Sequence, residues 1–254
     1  MKNIFDLLIK TKSILYISIL LISILSCSKP PLGNKGIEAD KLTNKIILAT
    51  QQQFWNKSKV LEWTFNNSNK HIWDRNRNLI KVSWDDIVVY ESLDSKRGKV
   101  FEKGIELDGE KKIKYLEKAY NYWGNDSYWL NPFFKFFENG VERRVVKQEN
   151  GSDALLITHS SGGSTPGDSY LWLLDENGLP NAWKLWVSII PIKGFKISWE
   201  DWITLSTGLK ISTAHKSKLI DIELTNVKAT NSLIEAFPDK DPFEIILKGG
   251  IVNN

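Results

Sequence analysis

The sequence predicts an α+β fold built mainly from antiparallel β-strands, and three observations predict it. Short segments alternate apolar and polar residues at period two: Leu61, Trp63 and Phe65 fall on one side, Glu62 and Thr64 on the other. That alternation is the mark of a half-buried strand. Asn150 with Gly151, and Asn177 with Gly178, each separate two such segments, and Asn-Gly adopts the positive φ values that a tight hairpin needs. Between a first and a second strand series lies an aromatic stretch: Tyr120, Tyr122, Trp123, Tyr128, Trp129, Phe133, Phe134, Phe136 and Phe137. Each ring carries roughly 150–250 Å² of surface that favours burial, so this stretch must be covered by the strands or by a ligand.

The elements follow in order. Residues 38–55 place Leu42, Ile46 and Ala49 at helical spacing, which predicts one amphipathic helix at the start of the folded domain. Strands are expected at 60–65, 71–75, 79–84, 87–90 and 99–102, a meander with polar turns at 66–70 and 76–78. Residues 110–121 set Ile113, Leu116 and Tyr120 on one helical face. Pro132 predicts an extended chain over 128–130, and residues 133–137 read as a short turn. The second series runs 142–148, 154–159, 170–174 and 183–190, then 200–205, 209–213 and 218–227. The 183–190 segment has apolar residues on both faces, so it needs cover on both. The division expected is a targeting segment over 1–26, a tether over 27–37 rich in Pro and Gly, one domain over 38–230, and a C-terminal segment over 231–254 that is short or frayed.

The first residues carry an address. Lys2, Lys10 and Lys12 precede an apolar run over 14–25, with small Ser26 before Cys27, the layout of a secretory signal. The Ile24, Leu25, Ser26, Cys27 sequence resembles a bacterial lipobox. That resemblance implies cleavage before Cys27, acylation of Cys27 with palmitate-type chains, and a membrane anchor in the cell envelope. Several chains hold where one is marginal, since each buried methylene adds about 0.8 kcal/mol. Ser28 in place of Asp after the cysteine points, by analogy, to the outer membrane. Cys27 is the only cysteine, so the domain folds without a disulfide and thiol chemistry is excluded. Loss of residues 1–26 lowers the formal charge from +4 to +2, which gives nucleic-acid binding no support.

The run Leu174, Asp175, Glu176, Asn177, Gly178, Leu179, Pro180, Asn181, Ala182, Trp183 resembles the LolA/LolB family of lipoprotein carriers and receptors, in which a strand ending in Leu-Asp and a Gly-Leu-Pro turn lead into a strand with an early Trp. Residues 128–141 likewise resemble uncharacterised envelope lipoproteins of this broad type. The likeness implies a strongly curved, incomplete antiparallel barrel, with helices covering a concave apolar face that holds acyl chains. Under that reading the aromatic stretch is a lid and lining, and the ligand candidates are Trp63, Phe65, Tyr128, Trp129, Phe133, Trp172 and Trp186. The expected partners are a lipid or acyl chain and, through Cys27, the membrane.

Other chemistries are weaker. His71, His159 and His215 lack metal-ligand spacing, and no metal or cofactor is expected. Residues 160–167 approach a nucleophile elbow between His159 and Asp168, but Pro166 replaces its last Gly, so an envelope hydrolase is the lesser alternative and no enzyme is expected. Asp85 with Asp86 and Glu200 with Asp201 are adjacent, and adjacent strand residues face opposite ways. Eleven tryptophans leave one further alternative, a glycan-binding surface with exposed rings as platforms.

Overall fold

The computed structural model describes residues 29–161, 166–190 and 192–248. The targeting segment, Cys27, Ser28 and Ser164 lie outside these residues. The order is α1 (Ile37–Ala49), β1 (Val60–Phe65), β2 (Asn69–Asp74), β3 (Leu79–Trp84), β4 (Ile87–Ser92), β5 (Gly98–Glu102), β6 (Ile105–Glu106), α2 (Gly109–Leu130), β7 (Val141–Lys147), β8 (Asp153–His159), β9 (Ser169–Leu174), β10 (Pro180–Trp186), β11 (Phe195–Ser198), β12 (Glu200–Thr204), β13 (Lys210–Lys216), β14 (Asp221–Thr230), α3 (Leu233–Ala236) and α4 (Glu244–Leu247). Short 3₁₀ turns occupy Gln52–Phe54 and Phe133–Lys135. Among the described residues no helix is long and apolar enough to cross a membrane.

One sheet runs β12-β13-β14-β1-β2-β3-β4-β5-β6 and the other β11-β10-β9-β8-β7; all pairings within them are antiparallel. β11 and β12 are separated only by Trp199, which is 2% exposed, so a single chain segment turns the corner from one sheet into the other. The result is one curved wall that stays open between β6 and β7. This is the expected incomplete barrel with helices over its concave face. The chain that joins the two free edges, α2 and the turn after it, fills the concave side.

Local chemistry sets the hairpins. Asn66 and Asn67 sit at φ 48 and 53 between β1 and β2, a backbone region that Asn tolerates well. Gly151 and Gly178 take φ 82 and 87 in the β7–β8 and β9–β10 turns, as the Asn-Gly pairs predict. At Gly178 an added Cβ would also lie 2.5 Å from Lys45 Cγ on α1. Lys45 Nζ donates to the Glu176 carbonyl at 2.7 Å, so this turn holds the opening helix in place.

Three expectations are corrected. The chain over 128–130 is helical: α2 continues to Leu130, and only Asn131 turns extended (φ −158, ψ 88), because a proline restricts the residue immediately before it. The opening helix stops at Ala49, and Gln51 enters the left-handed region at φ 59. The free tether is partly paired: Asn34 N–H donates to Val145 C=O and Val145 N–H to Asn34 C=O, each at 2.9 Å, since an edge strand such as β7 presents unpaired backbone groups. Of the two readings of the C-terminal segment, short or frayed, the described residues to 248 show a short packed one, with Phe243 and Ile246 fully buried against Leu79. It covers the outer side of β2–β4, and Arg77 pairs with both oxygens of Asp241 at 2.7 and 3.0 Å to fasten it.

Candidate functional site

α2 and the following turn divide the interior into two aromatic groups. Leu116, Ala119 and Leu130 pack with the larger sheet, while Tyr128, Trp129 and Phe133 pack with the smaller. Neighbouring residues split the same way: Phe134 stacks on Trp55 at 4.6 Å, and Phe133 meets Trp172 at 5.1 Å and Trp199 at 5.4 Å.

In the first group Trp63 lies flat on His71, with ring centroids 4.4 Å apart and planes 8° apart. His71 Nε2 stands 2.7 Å from Asp126 Oδ2, and both side chains are 1% exposed. Asn69 and Asn125 each donate to the same carboxylate at 2.9 Å. A buried carboxylate needs donors on its oxygens, and this knot ties β2 to the C-terminal third of α2. Phe65 packs half-buried beside the group.

In the second group Trp172, Trp183 and Trp199 form a triangle with centroid separations of 4.8, 4.9 and 5.1 Å. Trp129 meets Trp183 at 4.8 Å and His215 at 5.2 Å. His215 also meets Trp199 at 4.4 Å. Tyr128 Oη and His159 Nε2 are 2.9 Å apart at the margin of the group. Burial pushes the Tyr128 phenol well above its ordinary range, helped by Tyr170 and Asp168, and lowers His159, helped by Lys135.

The structure therefore brings Tyr128, Trp129, Phe133 and Trp172 together and sets Trp63 and Phe65 apart from them, across the plug. Trp186 lies on the other face of β10, against Val146, Ala154, Leu156 and Leu171. Period two in β10 separates Trp183 from Trp186. Sequence reasoning left Trp183, Trp199 and His215 out of the set; Trp183 pairs directly across from Trp172 in the β9–β10 ladder, which the Asn177-Gly178 turn could have revealed. It also passed over Glu91, taken up below. Ser160 Oγ donates to the Gly140 carbonyl at 2.9 Å, away from the His159 ring, whose Nε2 is engaged with Tyr128.

The unusual property of both groups is polar. The indole N–H of Trp63, Trp73 and Trp123 in the first and of Trp172, Trp183 and Trp199 in the second is buried and has no hydrogen-bond partner among the described residues, and the same holds for Trp186 on the other face of β10. Each such group costs about 1–3 kcal/mol relative to a paired one. None of the eleven tryptophans is exposed, and Trp123, Trp129, Trp186 and Trp202 are half-buried.

Burial drives His215 down to about 4, opposed by the backbone of Ser198 and Trp129. The unfolded chain takes this proton near 6.5, so the stabilisation is complete above 6.5 and is lost as pH falls towards 4. About 3 kcal/mol is at stake. Urea titrations of the wild type and His215→Phe between pH 7 and 4 are expected to show the wild type losing that increment relative to the variant.

No protein-family model matches the chain, and no curated protein matches it. Solved structures are similar to it, two of them as follows. A DUF1329 family protein from Desulfovibrio piger shares 10% identity at TM-score 0.39, covering 78% of this chain and 96% of its own. A putative outer membrane lipoprotein-sorting protein domain from Vibrio parahaemolyticus shares 9% at TM-score 0.34, with the same coverage. Likenesses this remote leave function to be argued from the interior itself.

Proposed function

We propose that this chain is an envelope lipoprotein, anchored through Cys27, that binds a lipid, an acylated peptide or another hydrophobic molecule on the concave side of its open barrel. The observation that carries the proposal is the row of buried indoles whose N–H groups find no acceptor in the protein. A core needing only bulk would be filled by Leu or Phe without that penalty; an ester or amide carbonyl of an entering acyl group supplies the missing acceptor. The segment from Trp129 to Phe136 closes the second group by ring packing and bridges the opening between β6 and β7, which gives it the position of a cover. Trp129 is half-buried at its edge. No bond is made or broken in this function.

The test is native mass spectrometry of the chain with its co-purified lipid, followed by delipidation and titration with a fluorescent diacyl lipid. Retained lipid is expected, with probe binding that quenches tryptophan emission and weakens several-fold in Trp129→Ala. A delipidated protein that ignores the probe would refute the proposal. Labelling with a palmitate analogue, abolished by Cys27→Ser, checks the anchor.

A further inference from the structure

A cleft of about 660 Å³ lies between the β4–β5 turn and the first three turns of α2, lined by Glu91, Lys96, Arg97, Gly98, Lys112, Ile113, Leu116, Glu117, Tyr120 and Asn121. No indole of the two aromatic groups lines it, and its size falls within the range of about 300–1,000 Å³ typical of small-molecule sites. Ile87, Val89 and Glu91 alternate onto the inner face of β4. Glu91 therefore occupies a place on the apolar face, at the floor of the cleft. It is 1% exposed, and Oε2 has no hydrogen-bond partner among the described residues.

Across the ladder stands Gly98, where an added Cβ would lie 3.0 Å from Leu116 Cδ2 and closer still to the β4 backbone. The glycine thus keeps the hairpin tight against the helix, beside the buried carboxyl that borders the cleft. The walls are apolar, from Ile113, Leu116 and Tyr120, and the mouth is cationic, from Lys96, Arg97 and Lys112, against the single acid Glu117. Lys96 Nζ reaches over the Tyr120 ring at 4.5 Å from its centroid.

We propose that this cleft is a head-group site for an acyl chain that ends in a carboxylate, with the ligand oxygens held between the Glu91 carboxyl and the cations Lys96, Arg97 and Lys112, and the chain lying along Ile113 and Leu116. Glu91 serves as the donor. Burial holds its pKa up to about 8, with Lys96 the opposing charge, so near neutral pH it carries a proton that it can share with an anionic oxygen, among the stronger hydrogen bonds available. A cationic head group is disfavoured, because with Glu91 neutral the remaining side chains of the mouth carry a net positive charge. This inference rests on the reading that the chain binds an apolar ligand, and it names the polar end of that ligand.

Calorimetric titration of the full chain with decanoate, decanol and decyltrimethylammonium separates the two. Decanoate is ionised throughout the range from pH 6.5 to 9.5 and is expected to bind the wild type best, losing about tenfold in affinity per pH unit above 8 as Glu91 ionises. The charged or titratable groups facing Glu91 are Lys96 and Arg97 on the turn and Lys112, Glu117 and Tyr120 on α2. Glu91→Gln keeps a donor of similar shape, so it should bind decanoate at pH 6.5 and flatten the pH profile. Glu91→Leu, checked for folding by circular dichroism, should weaken decanoate at least severalfold and leave decanol unchanged. If decanol binds the wild type as well as decanoate and the Glu91 variants change nothing, the head-group site is overturned while the hydrophobic-ligand reading stands. Preference for the ammonium probe also overturns it. If no probe binds and no lipid is retained, both fall.

Discussion

Trp172→Ala is expected to destabilise the fold by about 3–5 kcal/mol, the range for truncating a large aromatic side chain in a rigid core. Trp172 is fully buried on β9 and meets Phe133, Phe136, Trp183 and Trp199 at ring separations between 4.8 and 5.6 Å. Its neighbours are held by two different sheet segments and by the turn after α2, so they cannot collapse together into the hole. The midpoint of urea unfolding should fall steeply with an unchanged slope, and indole added to the variant should restore part of the loss. A loss below about 1 kcal/mol would mean that the aromatic group relaxes freely, contrary to the packing described.

Glu91→Gln is expected to act in the opposite direction, raising stability by about 3–5 kcal/mol at pH 8.5. The folded-state pKa of Glu91 lies near 8 against 4.5 for the free group, because burial penalises the ion. An acid with a raised folded pKa is deprotonated first in the unfolded chain. Wild-type stability is therefore whole below 4.5 and declines as pH climbs through 8, and glutamine has no such slope. Urea titrations at pH 5 and 8.5 measure it: the two proteins should be close at the lower pH and far apart at the higher. Coincident curves at pH 8.5 would show that Glu91 ionises without penalty. Because His215 weakens the fold as pH falls from 6.5 to 4 while Glu91 weakens it as pH rises from 4.5, the two slopes oppose each other between 4.5 and 6.5. Each is read only as a difference between wild type and variant.

These two groups also mark what sequence does and does not disclose. The hairpins were legible because Asn66, Asn67, Gly151 and Gly178 carry their conformational preference locally, and the strand faces followed from period two. Trp172 was singled out with Trp63, Trp129 and Trp186 for the excess of tryptophans, which does not tell the faces apart: Trp186 lies on the other side of its sheet. Glu91 was in plain view: it shares a face with Ile87 and Val89, and a lone acid in an apolar row is itself a signal. The helix α2 was not legible beyond Asn121, and over 128–130 this was because Pro132 was taken to act over three residues when its steric reach is one. The pairing of Asn34 with β7 and the seating of Phe243 on Leu79 depend on which edge and which outer face remain open once the wall has formed. No local pattern encodes that. Which tryptophans meet likewise depends on the corner at Trp199, where the chain passes between sheets.

The last consequence belongs to α2. Its 22 residues make a rod about 33 Å long, with its Leu116 packed on the β4–β5 hairpin towards one end and its Trp129 against Trp183 at the other. Asp126, in the last third of the helix, is pinned by His71. Gly124 stands beside that pin, and an added Cβ there would meet nothing within 4 Å. Packing does not require a glycine at this point, yet it is where the rod bends most cheaply. The Asp126 pin on β2 and the Trp129 contact with β10 thus fasten the last turns of the helix to both sheets at once.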